Sequence, residues 1–139
     1  MALKFSPRTL DVLASRLHAV LTTAASNILL YPSTVPFPSG QVTTAVAGSI
    51  ATFSGLGWTL AGRRMYVSSG TLNTTFTGDG TISWAMIRVG TSTYFMPVNS
   101  VRENTDPLAS TAVVKVSTIT AVNGQAVSLI GAAIELGDA

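Results

Sequence analysis

The sequence contains no cysteine and few charged residues of either sign. The lack of cysteine excludes disulfide scaffolds, thiolate metal sites and cysteine nucleophiles. Only 10% of the residues are charged, against about a quarter in an average soluble domain. Because 47% of the residues are hydrophobic, threonine, serine, asparagine and glycine must cover the surface. Such a coat is typical of proteins that contact other protein copies, and also of extracellular adhesins.

The chain also lacks a long apolar run and a dense cluster of basic residues. No segment approaches the roughly 20 consecutive apolar residues of a membrane helix, so we expect a soluble chain without a membrane partner. The isoelectric point near 9.4 reflects a small excess of cations among few charges. Arg63 and Arg64 form the only adjacent basic pair, whereas a nucleic-acid domain normally carries a basic stripe interleaved with aromatics. We therefore expect no nucleic-acid partner.

Residues 6 to about 23 carry the pattern of an amphipathic helix. Ser6 can cap the first turn, and Pro7 suits the first helical position. Leucine and valine then recur at three- and four-residue spacing, which predicts one apolar stripe. This stripe needs a partner, either the domain's own sheet or a neighbouring subunit. Its members are Leu10, Leu13, Leu17, Val20 and Leu21.

After the helix, short β-type runs alternate with turn residues. Residues 28–31 read as a buried strand that Pro32 closes, and a proline-rich loop follows. Asn123 and Gly124 predict a hairpin turn, and the segment from Gly55 to Gly57 reads as a turn. Further strands are predicted at about 42–46, 49–53, 63–68, 71–77, 81–89, 93–98, 111–119 and 125–136.

Alternation within two of these runs predicts which side chains share a face. In the 81–89 run, Ile82, Trp84 and Met86 are expected on one face. In the 111–119 run, Val114 and Val116 are expected opposite Lys115. Many short strands at this spacing favour a mainly β fold. We predict a single domain over residues 1–139, with an N-terminal α-helical segment over 1–25 and an antiparallel β-sandwich or jelly-roll-like domain over 26–139.

A search for catalytic or metal-binding groups leaves little. His18 is the only histidine, and a metal site needs several clustered ligands. Glu103 and Asp106 form a close pair of acids in the polar loop over 100–107, which reads as a solvated turn. Asp79 between two glycines is a turn residue, since a calcium loop needs more acids in series. We expect no enzymatic activity, no cofactor and no metal.

The aromatic residues offer a different possibility. Trp58 or Tyr94, if exposed, could stack on a sugar ring, which would make the chain a carbohydrate-binding adhesin module. Trp84 lies on an alternating strand, where burial in the core is the favoured use.

Several segments resemble a group of small structural proteins of tailed-bacteriophage virions. The resemblance rests on the helix that opens with residues 2–6, on the apolar strand and turn over 27–36, on the tryptophan-centred strand over 84–88, and on the terminal segment over 117–129. The family usually has a glycine after its equivalent of Asn27, and its loop contains fewer prolines than residues 32–38. No segment that carries the resemblance is catalytic.

The resemblance implies a virion component that is present in many copies. We therefore expect a capsid decoration or cement protein, with a tail, baseplate or collar component as the alternative. Its expected partners are capsid or tail subunits and other copies of the same chain. The candidate assembly interface consists of Leu10, Leu13, Leu17, Leu21, Arg102, Glu103 and Asp106.

Overall fold

One α-helix precedes ten strands in the computed structural model, which describes residues 6–40, 42–89, 95–106 and 112–136. The elements are α1 (Pro7–Thr22), β1 (Ser26–Pro32), β2 (Ala51–Ala61), β3 (Arg64–Ser69), β4 (Asn73–Thr75), β5 (Gly80–Val89), β6 (Phe95–Val98), β7 (Val101–Glu103), β8 (Val114–Val116), β9 (Thr120–Ala121) and β10 (Ala126–Glu135).

Polar side chains form hydrogen bonds with the backbone at both ends of the helix. The Ser6 hydroxyl accepts a hydrogen bond from the Thr9 N–H at 3.3 Å, and Pro7 occupies the first turn. At the other end, the Thr22 hydroxyl donates to the His18 carbonyl at 2.9 Å, and the Thr23 hydroxyl donates to the carbonyl of Ala19 at 2.8 Å. Such side-chain bonds to carbonyls one turn earlier weaken helix propagation. The predicted helix is confirmed.

The strands form one hydrogen-bonded sheet in the order β6-β5-β1-β2-β3-β10-β8-β7, with β4 added to β10 and β9 added to β5. The pair β7–β8 is parallel, and the other pairs of this sheet are antiparallel. The sheet curls almost into a barrel. The prediction of a mainly β domain with one N-terminal helix is confirmed, and one curved sheet supplies both layers around the core.

Two apolar clusters lie on opposite faces of this sheet. The inner cluster includes Phe53, Trp58 and Ile87 from the strands, and Ala14 and Leu21 from the helix, which contacts β2, β3 and β5. The outer cluster is centred on Tyr31, Trp84 and Met86. The two sets alternate along β1 and β5, as the period of two in a strand requires.

The segment from Gly55 to Gly57 lies inside β2, so the predicted turn is wrong. Ser26 and Ile28 of β1 pair with Leu56 and Phe53, so an extra residue of β2 is accommodated between them. Gly55 has a φ of +65° at this position. A glycine with positive φ can form a β-bulge without steric cost, and the strand therefore continues through it.

The alternation predicted for β5 is interrupted in the same way. Tyr31 pairs with Trp84, but the next residue of β1, Pro32, pairs with Ile82. This shift places Ile82 in the inner cluster, while Trp84 and Met86 belong to the outer one. The prediction of one shared face for the three residues is therefore wrong. In β8 the prediction holds, because Val114 and Val116 are buried and Lys115 is partly exposed between them.

Residues 42–46 do not form a strand, contrary to the prediction. Val42 and Val46 instead pack against the outer cluster from a segment that is not part of the sheet. The turn at Asn123 and Gly124 is present, but its flanks do not form a hairpin. Residues 120–121 pair with β5, and residues 126–128 pair with β4.

The residue after β4 explains why this turn is not a hairpin. The Phe76 N–H donates to the Gln125 carbonyl at 2.9 Å, and the Gly124 N–H donates to the Phe76 carbonyl at 2.8 Å. The backbone of Phe76 thus bonds to two groups of the turn, the Gly124 N–H and the Gln125 carbonyl.

Candidate assembly surfaces

The structure separates the four leucines of the predicted helical interface. Leu10 and Leu21 are buried, and Leu21, which is only 1% exposed, packs in the inner cluster with residues of the chain's own sheet. Leu13 is 39% exposed and lies beside Val12, which is 51% exposed. Leu10 and Leu21 therefore belong to the core, whereas Val12 and Leu13 lie on the surface.

Leu17 has an intermediate position. It lines an apolar cavity of about 200 Å³ between the last turns of α1 and the strands β5 and β6. The cavity shows that the helix does not seal completely against the sheet at this end. Its lining residues are Leu17, Val20, Leu21, Ile87, Val89, Phe95 and Met96.

The charged cluster of the predicted interface lies on β7 and the turn that follows it. Arg102 and Glu103 belong to β7, so the expectation of a loop over all of residues 100–107 is wrong for these two. The Arg102 Nη1 lies 3.4 Å from the Asp106 Oδ2 on the surface. The Glu103 carboxylate accepts the Ile119 N–H at 3.2 Å and the Thr105 hydroxyl at 3.2 Å. Glu103 therefore ties β7 to the segment before β9.

Two further residues that were considered for chemistry, His18 and Asp79, also have partners within the fold. The His18 Nε2 lies 3.0 Å from the Trp58 carbonyl, so this nitrogen must carry the proton. The Asp79 Oδ1 accepts the Asn123 N–H at 2.7 Å and joins two turns. In the described ranges, no group of three or more histidines or acids could hold a metal ion.

Trp58 is buried, and its indole N–H donates to the Ser26 hydroxyl. Its ring is therefore not available to stack on a sugar. Tyr94, the other aromatic residue considered for glycan binding, lies outside the described residues. The carbohydrate-binding alternative receives no support from Trp58.

The outer aromatic cluster is covered by the proline-rich loop. The rings of Tyr31 and Trp84 stack with centroids 4.0 Å apart and an interplanar angle of 5°, and Phe37 meets Trp84 edge-on at 5.5 Å. The Trp84 indole N–H donates to the Val35 carbonyl at 2.8 Å, and the Tyr31 hydroxyl donates to the Val46 carbonyl at 2.7 Å. Burial raises the pKa of Tyr31 above 10.0, and the nearby positive charge of Arg88 opposes that rise.

A trough on the outer face of β3, β10 and β8 is a feature that sequence reasoning missed. Its volume is about 640 Å³, and we call it the β10 trough because residues 130–133 form its floor. Small residues at 131 and 133 of the terminal strand were the available signal. The lining residues are Arg64, Tyr66, Val67, Asn104, Ala112, Val113, Lys115, Ile130, Gly131, Ala132, Ala133 and Glu135.

No helix within the described residues is long and apolar enough to cross a membrane. Comparison of the chain with protein-family models, with curated proteins and with solved structures finds no match.

Proposed function

We propose that this chain is a non-enzymatic structural protein of a bacteriophage virion, which decorates the capsid shell in many copies through protein–protein contacts. The observation that carries the proposal is the pairing of exposed polar side chains with one another on the outside of the sheet. The hydroxyls of Thr59 and Ser68 lie 2.7 Å apart across β2 and β3, and the Ser128 hydroxyl donates to the Asn73 side-chain oxygen at 2.6 Å across β10 and β4.

Such pairing lowers the cost of covering this surface with another protein. Burying a polar group without a partner costs about 1–3 kcal/mol, and burying an ion costs several kcal/mol. A hydroxyl that already has a partner on its own chain avoids most of that cost. Because only 10% of the residues are charged, much of the surface can enter protein contacts without stranding ions.

Exposed apolar side chains can supply the favourable part of such contacts. A standard interface buries about 800 Å² per partner around a few large side chains. Scattered exposed hydrophobics are ordinary on a monomer, but Val12 and Leu13 are adjacent on one helix. The exposed large hydrophobic residues among those described are Val12, Leu13, Phe37, Val122 and Ile130.

The resemblance to tailed-phage structural proteins also supports the proposal. Two of the segments on which it rests, the strand ending in Tyr31 and the strand centred on Trp84, are neighbours in the sheet, and their aromatic rings stack. The shared pattern therefore corresponds to one packed unit of this fold.

Locating the chain in purified virions by electron cryomicroscopy tests the proposal. We expect density for the domain at positions that follow the capsid lattice. Copies arranged around the tail axis would favour the tail, baseplate or collar alternative. Absence of the chain from intact particles would contradict a virion role altogether.

Co-sedimentation of the purified protein with empty shells tests the contact itself. We expect the double variant Val12→Ser/Leu13→Ser to fold but to bind shells more weakly, because it removes the exposed apolar pair. Ala19→Ser changes another exposed position of the same helix and is the matched control. Equal binding by both variants would exclude this helix from the contact.

A further inference from the structure

The geometry points to the β10 trough as a binding site for an extended, acidic peptide segment of a neighbouring virion subunit. This inference rests on the proposed function, since it names the kind of segment through which a partner would be held. It is carried by the charges around the trough, by the shape of its floor and by the spacing of its two cations.

Three of the chain's few charged side chains line the trough, and among the described residues none of them forms an ion pair. The ion pairs found among the described residues join Arg63 to Asp11 and Arg102 to Asp106. Arg64, Lys115 and Glu135 line the trough and take part in neither pair. Two cations and one acid make the trough positive by one charge, which favours a ligand with a net negative charge.

The part of β10 that lines the trough contains a register shift beside a glycine. The pairing of β10 with β8 shifts between Leu129 and Gly131, so Ile130 and Gly131 both lie on the outer side while Ala132 is buried. Gly131 does not have a positive φ, and a Cβ built on it would meet nothing within 4 Å. Neither the backbone nor the packing requires glycine there, and its effect is to leave the floor open.

The register of the three strands gives the distance between the two cations. Lys115 pairs with Gly131, and Arg64 pairs with Glu135, on opposite sides of β10. Four residues along a strand and two strand spacings across it separate their Cα atoms by roughly 16 Å. An extended peptide with acidic residues at positions i and i+4 spans about 14 Å on one face, and the cationic side chains can bridge the difference.

The same register predicts how the segment is held. A small apolar residue at position i+2 would lie over Gly131 and Ala133. Glu135 lies directly opposite Arg64 on the paired strand and offsets part of its charge. Lys115 pairs with Gly131 of β10 on one side and with Arg102 of β7 on the other, so no acid lies directly opposite it. We therefore expect Lys115 to contribute more to binding than Arg64.

A titration of the full chain with short peptides, followed by ¹⁵N–¹H NMR, tests the inference. The probe is the terminally blocked peptide Glu-Thr-Val-Thr-Glu, and the matched control is Gln-Thr-Val-Thr-Gln. We expect the acidic peptide to shift the amide signals of Gly131 and Ala133 and to bind more weakly as salt is raised. Equal binding of the two peptides, or shifts confined to another surface, would overturn it.

Two variants of the chain separate charge from shape. Lys115→Gln should weaken binding of the acidic peptide about fivefold, the upper range for an exposed ion pair, whereas Arg16→Gln on the exposed side of α1 should leave it unchanged. Gly131→Val fills the floor and should weaken binding more than about tenfold, because it removes the space for the segment. Gly40→Val is its control, since a Cβ at Gly40 also meets nothing within 4 Å.

The remaining outcomes are equally decisive. Unchanged peptide binding by folded Gly131→Val would refute the inference, and Lys115→Gln still tests it if the valine variant fails to fold. If single-stranded oligothymidine binds the trough and the acidic peptide does not, the site is a nucleic-acid site and the inference fails. If shells are decorated normally while the peptide does not bind, only the trough assignment fails. If the peptide binds and the chain is absent from virions, only the proposed function fails.

Discussion

Replacing Ser26 by alanine should destabilise the domain far more than the loss of one small hydroxyl suggests. Ser26 is fully buried at the start of β1. Its hydroxyl accepts the Trp58 indole N–H and donates to the Leu56 carbonyl at 3.3 Å. Alanine leaves the indole N–H buried without an acceptor, which costs about 1–3 kcal/mol. For a domain of this size, 1 kcal/mol corresponds to a shift of about 3 to 5 °C in Tm, so we expect Tm to fall by about 3 to 15 °C.

A double-mutant cycle isolates the hydrogen bond from other effects of the substitution. Trp58→Phe removes the donor, and the double variant Ser26→Ala/Trp58→Phe removes both partners and strands neither. The free energy of unfolding of each variant is measured with urea. We expect the sum of the losses in the two single variants to exceed the loss in the double variant by about 1–2 kcal/mol. Ser54→Ala at an exposed position of β2 is the control and should change stability by less than about 0.5 kcal/mol. If the losses in the two single variants add up to the loss in the double variant within about 0.5 kcal/mol, the predicted hydrogen-bond effect is refuted.

Three further predictions concern the core, pH and backbone. Leu21→Ala should lower the free energy of unfolding, measured with urea, by about 2–5 kcal/mol because it opens a cavity. Leu13→Ser should lower it by less than about 1 kcal/mol, and equal losses would contradict the burial of Leu21. Because burial raises the pKa of Tyr31 above 10.0, the stability that its neutral form provides is present below pH 10 and is lost as pH rises through the folded-state pKa. The natural chain should therefore be more stable than Tyr31→Phe at pH 8, and this difference in the free energy of unfolding should be smaller at pH 11. A difference that stays constant over this pH range would refute the prediction. Gly70 has a φ of +124°, and a Cβ there would lie 2.7 Å from the Gly55 carbonyl oxygen, so Gly70→Ala should lower Tm while Gly40→Ala leaves it nearly unchanged.

The candidate surfaces could be predicted only in part. The apolar stripe of the helix was visible in the sequence, but its division into a buried Leu21 and an exposed Leu13 depends on how the helix sits on the sheet. The partners of Glu103 and Asp79 could not be predicted, because each accepts a hydrogen bond from a residue 16 or 44 positions away. The β10 trough depends on the bulge at Gly131 and on two neighbouring strands that are distant in sequence.

The elements that could be predicted from the sequence are those whose signals are local. Ser6 and Pro7 define the helix start, Pro32 closes the first strand, and Asn123 and Gly124 form a turn, since each acts through its own backbone geometry. The pairing of the strands and the faces that they bury depend on contacts between residues that are distant in sequence. A bulge moves every following side chain to the opposite face, as at Ile82 and Trp84, and no local pattern records the partner strand that imposes it.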